Sequence, residues 1–389
     1  MQLFRLPRKV LVTAVLLAAL VPSAAPAVDT VLLRTSCDNG SGGSLANCFQ
    51  DLASLNQWVA GQAPSPAAPL RIEIGPGTFQ GTFECKGVGG ISIEGSGVTS
   101  TTLTSDLATL EPGILTTNCA GLSVSHLTVK GGYRAVHLGG SSVTNWTDVE
   151  VLGGARGVYS TFNCDPGKTR HTWHNARIEA IPRGMTVAYD ARCGEHSIFG
   201  SELIADGSAS QYGGIPNNVV AMKADQTNGH VTVRVTGSVL RSLLNVANTG
   251  AVPMVGVQAD DGAEIHVTGS QIEVMSTMSQ DVHVLQASTG GIVQVEASSY
   301  RLATVAPAAV RRISADGGYV YAPYRWAALP NPGMIPGYTS QPGADTRAIT
   351  NGTSDGYPHD SIYDPTSPAA TITAMPPASM IWVTWSGRV

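Results

Sequence analysis

Eight residues in the middle of this 389-residue chain have the types and spacing to do chemistry: Trp146, Asp148, Glu150, His171, Trp173, Arg177, Glu179 and Glu202. Two carboxylates beside a guanidinium can act as acid and base on a glycosidic bond, and a separation of about 5 Å suits a retaining mechanism. The same carboxylates could instead hold a divalent cation such as calcium. Indole rings offer flat apolar faces to sugars, and Arg or His can hold a carboxylate or sulfate. Arg177, Glu179, Glu150 and His171 are therefore the catalytic candidates, and Trp146, Asp148, Trp173 and Glu202 the candidates for binding substrate. None of this operates unless the chain brings positions 146 to 202 onto one surface.

A repeat supplies the means. Short alternating segments recur along the chain, and the closest internal match runs from Val231-Thr-Val-Arg-Val-Thr-Gly-Ser-Val-Leu240 to Glu264-Ile-His-Val-Thr-Gly-Ser-Gln-Ile272. A looser copy follows at Val293-Gln-Val-Glu-Ala-Ser-Ser-Tyr-Arg-Leu302. Taking Val129, Val149, Ile178, Leu203, Leu240, Ile272 and Leu302 as anchors gives irregular steps of 20 to 37 residues. Ankyrin, leucine-rich and propeller repeats keep steadier periods. An alternating strand cannot bury its apolar face alone, but turns stacked about 4.8 Å apart bury it continuously and pair every backbone group. The low aromatic content, 6%, fits a narrow interior of stacked aliphatics.

The chain resembles the right-handed parallel β-helix proteins of the pectin-lyase-like group. The resemblance is carried by the leader, by Ile72-Glu-Ile-Gly-Pro-Gly-Thr-Phe-Gln-Gly81, by Gly89-Gly-Ile-Ser-Ile-Glu-Gly-Ser-Gly97 with Thr101-Thr-Leu-Thr104, and by the strand-turn repeats up to about residue 320. It implies an all-β, single-stranded solenoid and extends to fold only. The blocks of the polygalacturonases are missing beyond superficial echoes at Asn248-Thr-Gly250 and Asp260-Asp261, and no lyase or methylesterase motif matches. No catalytic residue is carried over from that group.

Alignment on the anchors places Asp148, Arg177 and Glu202 as an outward ladder on three successive turns, with Glu150 and Glu179 facing outward on adjacent ones. Alternation counted from Ile178 puts His171, Trp173 and Arg177 on the outer surface, near Trp146. The bland alternative is an opposite-charge ladder tolerating exposure. His171 and His174, three apart on a strand, point to opposite faces and do not form a joint metal site.

Arg5, Arg8 and Lys9 precede the apolar run Val10 to Val21 and the small residues 23–27, the pattern of a signal peptide cut after Ala27. That run is too short to span a bilayer, which takes about 20 residues. A soluble secreted chain, extracellular or periplasmic and monomeric, is expected from residue 28. Its six cysteines suit disulfides, with sequence neighbours pairing as Cys37 with Cys48, Cys85 with Cys119 and Cys164 with Cys193; zinc is the competing reading but no Cys-x-x-Cys pair exists. A net charge of −5 without any basic run argues against nucleic acid.

Residues 28–70 are expected to cap the first turn, with one helix from Ser44 to Val59; residues 71–320 form the solenoid. Pro- and aromatic-rich residues 321–389 then form a C-terminal cap, in which Ile381-Trp-Val-Thr-Trp385 reads as a last strand folded back and Trp326, Trp382 and Trp385 offer a second glycan surface. Asn145-Trp-Thr147 and Asn351-Gly-Thr353 have glycan-acceptor spacing. Two functions fit this reading. One is a secreted protein that binds an extended polysaccharide along one flank and cleaves it as a lyase or glycosidase; the other is a non-catalytic surface or envelope module. An acid, a base and a cation meeting in a groove would favour the first, and a self-paired ladder the second.

Overall fold

The computed structural model describes residues 29–38, 45–161, 163–208, 216–226, 230–244, 252–276, 281–304, 310–324 and 346–351. The leader, Gly352 and Thr353 of the second acceptor site and all three tail tryptophans lie outside the described residues. Strands form three sheets of 13, 9 and 9, in which hydrogen-bonded neighbours are almost always three strands apart in sequence. One turn is Val143–Thr147, Glu150–Gly153 and Arg156–Ser160; the next is Arg170–His174, Arg177–Ala180 and Thr186–Ala191. Every pairing between successive turns is parallel. The chain is a right-handed parallel β-helix, the hand that parallel crossovers take. At the far end Thr346–Asn351 pairs antiparallel with Tyr319–Tyr324, which ends the parallel order.

The corner between the first and second sheets explains the repeated Thr-Gly-Ser. It has two residues, the first left-handed: His126, Asp148 and Asn175 in the early turns, then Gly200, Gly237 and Gly269. Glycine and Asn or Asp are the residues that tolerate this conformation. The second corner position becomes serine in the later turns. Its Oγ accepts the backbone N–H of the equivalent residue one turn earlier, from Ala176 to Ser201, Ser201 to Ser238 and Ser238 to Ser270, each at 3.1 Å. These bonds satisfy corner amides that no strand can reach.

Observed register differs from the sequence alignment in its second and last anchors. Val129 pairs with Val151, then Ile178, Leu203, Leu240, Ile272 and Tyr300 follow. Val149 is instead the second corner residue, equivalent to Ala176, and Leu302 pairs with Val274. Both mistaken anchors are apolar and two residues from the true ones, so period-2 alternation alone could not separate them.

The helix spans Leu52–Gln62 rather than 44–59. Asp51 caps it by accepting the Ser54 N–H at 2.7 Å, and Cys48–Phe49, expected to be helical, forms a short strand on Asp29–Leu33. A carboxylate cap preceding the helix sets its start, and the upstream disulfide fixes Cys48 in extended chain. Leu52, Leu55 and Val59 enter the continuous core. All three sequence-neighbour disulfides are present, Cys37–Cys48, Cys85–Cys119 and Cys164–Cys193. Among the described residues no helix is long and apolar enough to cross a membrane.

Leu203 is fully buried between Ile178 and Leu240. Leu203→Ala should cost about 2–5 kcal/mol, read as a lowered guanidinium midpoint; an unchanged midpoint would mean that this column does not carry the stability.

Candidate functional site

The structure separates the eight sequence candidates into two groups. Trp146, Trp173 and His171 lie inside the coil, each 1% exposed or less. The corner at Asn175 and Ala176 inserts two residues between strands and inverts the alternation, so inward positions are 171 and 173 before it but 178 and 180 after it. Neither indole is available to a sugar, and His171 reaches no substrate. Asp148, in the left-handed corner position, is not part of the ladder; its carboxylate lies 3.4 Å from His126. His174 points outward and stacks on Phe199, so the two histidines do face opposite ways.

Inside, Trp146 and Trp173 stack at 4.5 Å on adjacent turns. Thr144 Oγ1 accepts from Trp146 Nε1 at 2.8 Å and meets His171 Nδ1 at 2.9 Å. One turn on, Tyr189 OH accepts from Trp173 Nε1 at 2.9 Å and meets His196 Nδ1 at 2.8 Å, and His196 Nε2 reaches the Cys193 carbonyl at 3.0 Å. Burial holds the His196 ring down to about 4, and burial plus the facing His196 holds His171 well below 6.5. This is a hydrogen-bonded core of bulky polar side chains, not a surface site.

Glu150, Arg177 and Glu202 do share a row on the second sheet. Arg177 meets Glu202 at 2.6 Å, Glu179 at 2.8 Å and Glu150 at 3.8 Å. Glu150 and Glu179 are thus two positions out of register and meet through the guanidinium rather than directly. The run continues: Glu202 also pairs with Arg241, Arg241 with Glu273 at 2.6 Å, and Glu273 with Arg301 at 3.5 Å. Charge alternates along six successive turns from Glu150 to Arg301. With Arg177 45% exposed, each outer pair contributes about 0.2–1 kcal/mol at most. Among the described residues no three His, Cys, Asp or Glu side chains are grouped to hold a metal ion, and Glu150 and Glu179, the candidate calcium ligands, lean on Arg177.

A second charged run, on the outer face of the third sheet, is far more buried. Asp190, 1% exposed, accepts from Arg156 Nε at 2.7 Å and Arg192 Nε at 3.1 Å. Arg192 also meets Asp225 at 3.1 Å, Lys223 meets Asp225 at 3.8 Å and Asp260 at 3.2 Å, and Ser288 donates to Asp260 at 2.6 Å. At its start Tyr159 lies under two guanidiniums, Arg134 at 4.8 Å and Arg156 at 4.7 Å, with Tyr133 beside both. His137, in register with Tyr159, is held at about 4 by burial and by Arg134 and Arg156, so it is neutral at pH 7. The six strands running past these residues are in parallel register.

Sequence reasoning missed this face because its members are scattered from 133 to 288 and each is unremarkable alone. The signal was present in the copies themselves: counting back from the third-sheet strands aligns His137, Tyr159, Asp190, Lys223 and Gln258 in one column. The anchor positions from Val129 to Leu302 belong to the second sheet or its corner and do not report on the third.

No family model matches the chain, and no curated protein sequence is similar to it. Solved structures do resemble it. Pectin methylesterase PemA from Erwinia chrysanthemi shares 11% identity over 64% of this chain and 81% of its own, with a TM-score of 0.42. Pectate lyase Pel9A shares 11% over 75% and 80%, at 0.43. The catalytic domain of an alpha-1,3-glucanase in complex with tetrasaccharides shares 11% over 74% and 67%, at 0.33. Values this low say nothing about activity, and the β-helix rests on the strand order itself.

Burial separates the two runs energetically. Asp190→Asn leaves two largely buried guanidiniums without their shared carboxylate and should cost about 3–5 kcal/mol, whereas Arg177→Ala should cost about 1 kcal/mol or less; comparable losses in chemical denaturation would contradict this ranking. Two histidines, the interior His196 and the outward-facing His137, set an acid limit. His196 and His137 sit at about 4 when folded against 6.5 unfolded, so the unfolded chain binds more protons in that window. Stability should be level above pH 6.5 and fall steadily from 6.5 to about 4, which midpoints measured across that range would show; a flat profile would place both rings in water.

Proposed function

We propose that this is an exported β-helix protein that binds an extended polysaccharide along the outer face of the third sheet. One observation carries the reading: charged and aromatic side chains repeat on five successive turns there, Arg134 with His137, Arg156 with Tyr159, Asp190 with Arg192, Lys223 with Asp225, and Gln258 with Asp260. At about 4.8 Å per turn they make a straight row of fixed donors and acceptors some ~20 Å long. A linear polymer lying along the coil axis would meet His137, Tyr159, Lys223 and Gln258 in turn, with the buried Asp190 in register between Tyr159 and Lys223. The tyrosine rings at one end supply the apolar surface that the interior tryptophans do not.

Binding without cleavage is the form favoured. Asp190, Asp225 and Asp260 are all engaged by cations, so among the described residues of this face no unpaired carboxylates flank a common point. The second-sheet run, being self-paired, acts as a structural ladder, and Glu150, Arg177, Glu179 and Glu202 are not assigned catalysis. Export is supported by the leader's pattern and the three disulfides. A purely structural surface module is the second reading, supported by the ladder from Glu150 to Arg301.

Affinity electrophoresis through acidic and neutral glycans, with reducing ends and unsaturated uronate followed in parallel, tests both. The expected result is retardation by at least one linear glycan, no product, and retardation lost in Lys223→Ala but kept in Arg177→Ala. No retardation by any glycan would leave the structural module; product release would overturn binding without cleavage.

A further inference from the structure

We propose that Arg134 and Arg156 form a binding site for an oxyanion substituent, a carboxylate or a sulfate, at the start of the third-sheet face. The inference deepens the polysaccharide reading and, for its polymer arm, rests on it: the bound glycan is acidic.

Counting charges along the face gives the first support. Arg134, Arg156, Arg192 and Lys223 stand against Asp190, Asp225 and Asp260, and the ion pairs run from Arg156 to Asp260 without including Arg134. Among the described residues no carboxylate lies within ion-pair distance of Arg134. Among the described residues its one side-chain hydrogen-bond partner is the neutral His137 ring, 3.4 Å from Nη1, and its buried Nε has no hydrogen-bond partner. Two like charges in register on adjacent turns, one of them uncompensated, are a costly arrangement for a protein to keep without a ligand.

Geometry supplies the second support. Both guanidiniums lie over the Tyr159 ring, and Tyr133 is 5.6 Å from one and 5.4 Å from the other. Ring contact occupies the guanidinium faces and leaves N–H edges for a ligand. Arg156 uses Nε for Asp190, and its guanidinium and that of Arg134 meet the same two tyrosine rings. Two guanidiniums in register on adjacent turns of a rigid sheet, gathered around the same rings, can offer N–H edges to the oxygens of a carboxylate or sulfate. Burial and the neighbouring Arg156 both disfavour the charge on Arg134, and an anion would relieve that.

Two measurements decide it, using the whole protein and the variants Arg134→Gln and Arg134→Lys, whose folding is checked by circular dichroism. In thermal denaturation at matched ionic strength, sodium sulfate or galacturonate should raise the melting temperature above that in chloride for the parent protein. The gain should vanish in Arg134→Gln and shrink in Arg134→Lys, which keeps the charge but not the fork. In affinity electrophoresis, polygalacturonate and dextran sulfate should bind the parent about tenfold more tightly than Arg134→Gln, and the tighter polymer identifies carboxylate or sulfate. Equal melting shifts in parent and Arg134→Gln overturn the site. Retardation by neutral dextran that is equal to that of the acidic polymers and indifferent to Arg134 overturns the acidic assignment while leaving the polysaccharide reading intact. An Arg134-dependent melting shift without retardation by any polymer does the reverse: the oxyanion site stands and the polysaccharide reading falls.

Discussion

The architecture depends on one constraint, that each turn must place its inward side chains directly over those of the turn before. A strand in a coil has no partner within its own turn, so all backbone pairing and nearly all apolar burial come from neighbours a turn away. The two-residue corner enforces the stacking. A left-handed first residue turns the chain sharply, and in the later turns a serine in second place ties each corner to the one before. Loop length is then free to vary at the other two corners, as between Ala180 and Thr186 and between Ser160 and Arg170, which is why the sequence period is irregular although the structural period is not.

That same constraint determines how much was legible. Alternating aliphatics and recurrent Thr-Gly-Ser announce a solenoid, and the neighbouring cysteines announce their own pairing. The strand register was readable where the copies are most alike, from Leu203 through Ile272, and misread at Val149 and Leu302, where an apolar residue two positions off satisfies the same pattern. The helix was recognisable from its spacing but not its start, because the cap at Asp51 competes with a continuation of the apolar pattern toward Cys48.

The functional surface was less legible, for a related reason. Trp146, Trp173 and His171 read as exposed when alternation is carried across the corner, yet two inserted residues invert it. Chemistry-bearing residue types thus marked the interior, where Thr144, Tyr189 and His196 satisfy them. The buried run on the third sheet is composed of residues that are neighbours only after folding, and alignment of that sheet's own strands is what exposes it. Arg177 with its three glutamates was anticipated as a group, and its geometry is that of mutual neutralisation.

The ion pairs from Glu150 to Arg301 have a consequence for how such a coil can change length. Sign alternates from winding to winding, negative, positive, negative, so the strip has a parity as well as a register. Duplicating or excising one winding inside it would set two glutamates or two arginines face to face, whereas two windings added or removed together preserve the alternation. Growth of this solenoid by repeat gain is therefore easiest in steps of two, and any single insertion would have to bring its own neutral residues to the second sheet.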